Sequence, residues 1–403
     1  MRHTHVLSHF SMAPFSSRLL HGVWPLLLIL VGAAAAVTTA VHADDTDGYR
    51  RRHARLFAFG NSLTDTGNAA IFPATAGGPS TSPPYGETYF GHPSGRASDG
   101  RLIVDFLVEE LKVPEPTPYL AGGRTATAAD FVNGANFALG GATALDQAFL
   151  ATKGIQSLVP ISLTNETTWF HNVLQLLDAS DYDQHKIMAS SVFYLGEIGV
   201  NDYFIALSNN TVDVAVSLVP HIIDTIRSAL ITMISAGAKT VVVSGMLPIG
   251  CEPQQLALFP GGPGDYDPTT GCITRFNVLA EHHNHMLRTM LRELRRSNYG
   301  RTSLTTLLYA DIYRPVIKAV ASPALYGFGD RPLAACCGGG GGPNNFDFLA
   351  FCGTPASTAC ADPSKFISWD GIHFTEAANR FIARNMIKGL LPLSRAAAYV
   401  ATS

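Results

Sequence analysis

Two short stretches of this chain hold residue types that can do acyl chemistry together. Ser62 lies in Leu56-Phe57-Ala58-Phe59-Gly60-Asn61-Ser62-Leu63-Thr64-Asp65-Thr66-Gly67-Asn68, and His373 lies in Trp369-Asp370-Gly371-Ile372-His373-Phe374-Thr375. A serine hydroxyl is a weak nucleophile until a base takes its proton, and imidazole titrates nearest neutrality of the side chains. An acid three residues before the histidine, in a turn, is placed to accept the Nδ1 proton and leave Nε2 free for the serine. Ester attack also needs donors for the developing oxyanion. Gly140-Gly141 offers a backbone N–H from a glycine turn, and Gly199-Val200-Asn201-Asp202 offers the Asn201 side-chain amide. Each stretch also has a plain structural reading: a polar turn, a tight glycine turn, an Asx turn, a helix N-terminus. Their agreement in place favours chemistry.

That agreement depends on the elements that carry them. Leu56 to Gly60 is an apolar run long enough for one buried strand, followed by small turn-forming residues. Asp130 to Leu139, Ser191 to Leu195, Thr240 to Ser244 and Leu304 to Ala310 read as four more strands. Leu102–Leu111, 165–189, 212–236, 274–297 and 375–391 read as helices. Strands alternating with helices imply an α/β fold with a five-stranded, mostly parallel sheet covered on both faces. In such sheets ligands bind at the carboxyl ends of the strands. Ser62, Gly141 and Asn201 each follow a strand and fall on that edge, and Asp370 and His373 arrive from the C-terminal loop.

The blocks FGNSLTDTGN, GANFALGGAT, GEIGVNDY and WDGIHFTEAA, in this order, resemble those of the GDSL esterase/lipase family, the SGNH hydrolases, and most closely the plant secreted branch. The resemblance spans about residues 54–395. It implies a flavodoxin-like three-layer α/β/α sandwich, carboxyl-ester hydrolysis without metal or cofactor, and roles by position. Ser62 is then the nucleophile and His373 and Asp370 complete the triad. The backbone N–H groups of Ser62 and Gly141 and the Asn201 amide form the oxyanion hole. Gly141 is preferred to Gly140 because it directly precedes the Ala-Thr that closes its block. One position departs from the family: Asn61 stands where Gly-Asp-Ser-Leu has its acid. The expectation is altered hydrogen bonding near Ser62 with activity retained.

The chain has 403 residues, 47% of them hydrophobic, enough for a large core, and a net charge of −3, which offers no basic face to a nucleic acid. Arg2 and Arg18 followed by the apolar block Trp24 to Val37 and by Val41-His42-Ala43 read as an export signal over residues 1–43, with an uncleaved signal anchor as the alternative. Residues 44–403 then form a single hydrolase domain, secreted to the cell wall or apoplast and without stable membrane contact once the signal is cleaved. Six cysteines, all from Cys251 onward, suit an oxidising compartment. Cys251–Cys272 is expected as one staple, with Cys336, Cys337, Cys352 and Cys360 pairing locally in a loop over 334–364. Asn165-Glu166-Thr167 and Asn209-Asn210-Thr211 are glycosylation sequons at Asn165 and Asn209.

His282, His283 and His285 suggest a metal, but with no matching carboxylate in view they read as a solvated helix face. Arg96 and Arg101, in the long Pro/Gly/Ser-rich loop 71–101, read either as contacts for an acidic or sugar substrate or as structural. The functional expectation is a serine esterase acting on acetylated polysaccharide or small soluble esters. An acyltransferase using the same acyl-enzyme and a non-catalytic glycan- or lipid-binding protein are the rivals.

Overall fold

Strands without a polar face must be covered on both sides, and the apolar runs LFAF, SVFYL and VVVS meet that demand at the centre of one sheet. A computed structural model of the chain describes residues 54–180, 182–209, 211–297 and 305–400, with backbone alone at 209 and from 390. The expected export signal over residues 1–43 lies outside the described residues. The sheet contains β1 (Arg55–Phe59), β2 (Thr117–Pro118), β3 (Gly134–Asn136), β4 (Ser191–Leu195), β5 (Thr240–Ser244) and β6 (Thr306–Ala310), in the order β2-β3-β1-β4-β5-β6. Every pairing is parallel; Phe57, for example, lies beside Ala135 on one side and Phe193 on the other.

Without its short edge strand β2, the sheet has the flavodoxin-like order 2-1-3-4-5. The expected five strands are thus six. The sixth is missed because Thr117-Pro118 is two residues long and ends in proline, which only an edge tolerates. The expected strand over Asp130–Leu139 shrinks to Gly134–Asn136, because Asp130 caps the short helix Ala128–Phe131 by accepting the Thr127 N–H at 2.7 Å.

Besides shorter helical turns, the helices include α1 (Ile103–Leu111), α2 (Leu163–Asp178), α3 (Gln184–Ala189), α4 (Val200–Asn209), α5 (Val212–Ser235), α6 (Thr274–Arg296), α7 (Tyr313–Ala321) and α8 (Glu376–Val400). The single helix expected over 165–189 is two, since Asp183 caps a new start by accepting the Lys186 N–H. Parallel crossovers are right-handed. The step from β1 out to β3 and the steps from β4 to β6 run in opposite directions, so they place α1 on one face and α2, α5 and α6 on the other. The packing agrees: α8 lies on α1, while α2 and α6 lie on α5.

On the second face Phe170 of α2 stands edge-on to Phe57 at 6.2 Å and Phe193 at 5.7 Å, and Phe59 meets Phe137 at 4.9 Å. All five rings are fully buried. Truncating one of them to alanine costs about 3 to 5 kcal/mol by transfer and cavity terms.

Crossovers leaving β1 and β4 in opposite directions part the loops after these adjacent strands. That opens a crevice at their carboxyl ends, next to Ser62 and Asn201.

Candidate active site

The turn after β1 is built from buried amides. Asn61 is fully buried; its Oδ1 accepts the Leu63 N–H at 3.0 Å, and its Nδ2 donates to Glu197 Oε2 at 2.6 Å. Asn61 therefore ties the Ser62 turn to the loop after β4. An aspartate there would face a second buried carboxylate at the same distance, and the pair would have to share a proton. Burial pushes the Glu197 carboxyl up to about 8 against the donated bonds of Asn61 and Val200.

Asp65 closes the turn. Its carboxylate accepts from the backbone N–H groups of Gly67, Asn68, Ala69 and Gly140, all at 2.6 to 2.8 Å. The last of these docks the glycine turn after β3 against the Ser62 turn. A Cβ on Gly140 would lie 3.7 Å from Ser62 Cβ. Because the Gly140 N–H is committed to Asp65, the next N–H is the one left over. Among the described residues neither Gly141 N–H nor Ser62 N–H has a protein acceptor. Gly141 has φ +86°, and a Cβ there would come within 2.4 Å of Val159 Cγ2, so only glycine fits.

Asn201 sits in the first turn of α4 and donates one Nδ2 hydrogen to Ala142 O at 2.8 Å, leaving its second hydrogen unused. Asp202 beside it accepts from Ala144 N and Leu145 N, locking the same two loops together. Among the described residues, three N–H hydrogens, on Ser62 N, Gly141 N and Asn201 Nδ2, are thus without a protein acceptor.

His373 Nε2 lies 2.8 Å from Ser62 Oγ, and His373 Nδ1 lies 2.7 Å from Asp370 Oδ2. Ser62, His373, Gly141 and Asn201 are part-exposed, whereas Asp370 is buried. Asp370 is well supplied with donors. Its Oδ1 accepts Ile372 N at 3.0 Å and His373 N at 2.8 Å, and its Oδ2 also accepts Tyr85 OH at 2.7 Å. Burial alone would raise its pKa; the His373 charge and the bonds from His373 and Tyr85 outweigh that and hold the carboxyl below its usual value. An ionised carboxylate only accepts, so the proton between them sits on Nδ1 and Nε2 presents a lone pair to Ser62.

Tyr85 is a site residue that its sequence alone does not announce; the only signal is Pro83-Pro84-Tyr85-Gly86 in a loop too long to be idle. Its ring is buried against Trp369 at 5.9 Å. The two arginines of that loop are structural. Arg96 pairs with Asp105 at 2.8 Å and with Glu115, and Arg101 pairs with Glu376 at 2.8 Å and stacks over Tyr89 at 3.9 Å. The substrate reading of both arginines falls, because acids within the protein hold their guanidinium groups. Asp99 accepts the Glu376 N–H and Ser98 Oγ donates to Phe374 O, so the loop also fixes the start of α8 beside His373.

The disulfides are Cys251–Cys272, as expected, with Cys336–Cys360 and Cys337–Cys352 as the local pairs. The last two flank the segment that leads to Asp370: Cys336 N donates to Ser368 O at 3.0 Å and Cys337 N to Trp369 O at 2.7 Å. The histidines on α6 only half follow their expected solvated face. His282 and His285 are exposed, but His283 is buried with its Nδ1 2.9 Å from Tyr203 OH, and burial drives its pKa down to about 3. Asn165 is exposed, and its Oδ1 accepts the Ser162 N–H at 2.8 Å, a cap that does not use the Nδ2 a glycan would take. The Asn209 side chain and residue 210 lie outside the described residues.

Residues 56–386 match the family model described as GDSL-like Lipase/Acylhydrolase. A GDSL esterase/lipase of Arabidopsis thaliana is 40% identical over 344 residues, covering 84% of this chain and 85% of that protein. A second from the same plant is 37% identical over 366 residues, covering 90% and 91%. The sinapine esterase of Brassica napus is 39% identical over 344 residues, covering 84% and 86%. With Ser62, His373 and Asp370 hydrogen-bonded in series at the carboxyl edge of a parallel sheet and relatives matched along most of its length, this chain belongs to the GDSL lipase/acylhydrolase family and is a carboxylic ester hydrolase.

Proposed function

We propose that the chain is a secreted serine esterase that hydrolyses small soluble esters through an acyl-enzyme. Ser62 Oγ attacks the ester carbonyl carbon as its proton passes to His373 Nε2. The carbonyl oxygen becomes an oxyanion and is held by Ser62 N–H, Gly141 N–H and the spare Asn201 hydrogen. Asp370 keeps the Nδ1 proton in place and stabilises the imidazolium. His373 then gives its proton to the leaving alkoxide, and the C–O bond to the alcohol breaks. Water, deprotonated by His373, attacks the acyl-enzyme; the acid leaves and Ser62 regains its proton.

The observation that carries this reading is the Ser62–His373–Asp370 relay at 2.8 and 2.7 Å, with the nucleophile part-exposed and the acid buried. The name of the Brassica relative gives one ester that a protein of this family acts on. A small soluble ester is proposed over acetylated polysaccharide because Leu158 and Phe348 leave apolar surface exposed, and Phe348 stands 6.3 Å from Phe204, one turn along the helix from Asn201. Export is proposed on the signal-like residues 1–43, with 44–403 as the mature hydrolase domain glycosylated at Asn165 and Asn209; three disulfides support it. Treatment with a fluorophosphonate followed by peptide mass mapping tests the nucleophile. The adduct is expected on Ser62; an adduct on another serine would remove Ser62 from its role.

A further inference from the structure

Asp370 receives more hydrogen bonds than its own turn supplies. Oδ1 accepts the N–H groups of Ile372 and His373, and Oδ2 meets both His373 Nδ1 and Tyr85 OH at 2.7 Å. An ionised carboxylate has about four such sites, so all are filled. Three of the partners belong to the triad turn. The fourth belongs to the loop 71–101, 285 positions earlier in the chain. The oxygen that orients His373 is therefore shared between the base and a phenol from another part of the fold.

Tyr85 is held firmly. It is buried with Cys336, Cys337, Cys352 and Trp369 in a small core of its own, apart from the main core of the sheet. Its ring stands edge-on to Trp369 at an interplanar angle of 81°. The Cys336–Cys360 and Cys337–Cys352 disulfides fix the sulfur side of that core. The backbone beyond the ring is strapped as well. Gly86 N–H donates to Ser98 O at 3.0 Å and Thr88 N–H to Asp99 O at 2.8 Å, and Asp99 Oδ1 accepts the Glu376 N–H at the start of α8. Burial first, then the charge and hydrogen bond of Asp370, push the phenol well above its ordinary value, so it stays a donor at neutral pH. A buried phenol needs a partner, and the carboxylate oxygen is the one it has.

We propose that Tyr85 is a positioning residue of the ester hydrolysis: its hydroxyl keeps Asp370 Oδ2 in line with His373 Nδ1 and draws off part of the carboxylate's charge, so the loop 71–101 sets how firmly His373 holds a proton. The first effect is orientation, since a carboxylate pinned on both oxygens cannot turn away from the ring. The second is electrostatic. A donor on Oδ2 takes up charge that would otherwise fall on the imidazolium alone. The other titratable groups that act on Asp370 are His373, in its own turn, and Glu252, which precedes the short helix Pro253–Leu258. Burial raises the Glu252 carboxyl to about 8, and Glu197 acts on it in turn. The inference rests on the esterase reading above and deepens it.

The test follows p-nitrophenyl acetate hydrolysis by the full chain against pH, for wild type, Tyr85→Phe and Tyr182→Phe. Tyr85→Phe keeps the ring against Trp369 and removes only the donor, so its melting temperature should stay within a few degrees of wild type. Its kcat is expected about ten-fold lower with KM little changed, the scale of one lost hydrogen bond to a charged group. The acid limb of kcat/KM should move up by about half a pH unit, because the imidazolium holds its proton about three-fold more firmly. A packing role alone would lower the melt and leave the limb in place. Tyr182→Phe removes a phenol from an exposed residue and should change neither limb nor kcat. Glu252→Gln, with and without Tyr85→Phe, identifies the titrating group, since the shift should persist in the glutamine background. Tyr85→Met fills the ring's space without a donor and makes the same measurement if Tyr85→Phe does not fold. An acid limb unmoved in folded Tyr85→Phe overturns the proposal, and so does a shift that vanishes with Glu252→Gln. Ser62→Ala separates the two claims: if it turns over acetate like the wild type, the esterase mechanism fails; if it is silent while the limb stays fixed in Tyr85→Phe, only the role of Tyr85 fails.

Discussion

Replacing Asp370 by asparagine should leave the fold nearly intact and stop the chemistry, for a reason written in the hydrogen bonds. Oδ1 accepts two backbone N–H groups, from Ile372 at 3.0 Å and His373 at 2.8 Å, while Oδ2 faces His373 Nδ1 and Tyr85 OH. Asparagine has one acceptor oxygen and one NH2 group. If the NH2 took the Oδ1 place it would oppose two backbone donors, leaving buried groups unpaired at about 1 to 3 kcal/mol each. The oxygen therefore stays at Oδ1 and the NH2 turns to His373 Nδ1. To accept that hydrogen, Nδ1 must present its lone pair, so the ring proton moves to Nε2. His373 then meets Ser62 Oγ as a donor and has no lone pair with which to take its proton. The expected loss in kcat is about 10⁴-fold, the cost of the wrong tautomer in a Ser-His-Asp site. This corresponds to about 5 kcal/mol of barrier. The melting temperature should fall by only a few degrees, since both backbone bonds survive and Tyr85 OH can accept from the NH2. The assay is p-nitrophenyl acetate hydrolysis beside a circular-dichroism melt. A folded Asp370→Asn protein with kcat within ten-fold of wild type would refute the tautomer argument.

Further outcomes follow from the same contacts. Asn201→Ala removes one oxyanion donor and should lower kcat by about 10²- to 10³-fold with little change in KM, measured by steady-state kinetics. The double variant Cys337→Ser/Cys352→Ser opens a loop with a sequence separation of 15 residues that holds Trp369 O. It should cost about 3 kcal/mol in denaturant unfolding and reduce activity with it; unchanged stability would show that the segment does not need the bond. The carboxyl of Glu197 is raised by burial from 4.5 to about 8, so the folded state binds more protons than the unfolded one between those values. Stability is then full below about pH 4.5 and falls as pH rises towards about 8. Thermal melts across that window should show a shallower fall for Glu197→Gln than for wild type; equal slopes would remove Glu197 as the source.

The sheet was legible because its central strands are buried on both faces, so Leu56–Phe59, Ser191–Leu195 and Thr240–Ser244 read as unbroken apolar runs. The edges were not. Thr117-Pro118 pairs with β3 through backbone alone, and a two-residue strand leaves no periodicity to read. Five candidate site residues could be named from sequence because the proposed chemistry restricts them to a serine, a histidine, an acid and two donors after strands. What lay beyond local sequence was the support. Tyr85 reaches Asp370 across 285 positions, and Arg96 and Arg101 are claimed by acids at Asp105 and Glu376. His283 is buried against Tyr203 on a helix whose neighbouring histidines face water. Each is a tertiary contact whose partner no local pattern names.

The central claim is that Ser62 carries the acyl group. The most direct measurement is hydrolysis of p-nitrophenyl acetate by the wild-type chain and by Ser62→Ala, each shown to be folded by its melt. The account predicts turnover by the wild type, none above background for Ser62→Ala, and a burst of nitrophenol equal to the enzyme present if deacylation is the slower step. Turnover by folded Ser62→Ala at the wild-type rate would contradict it.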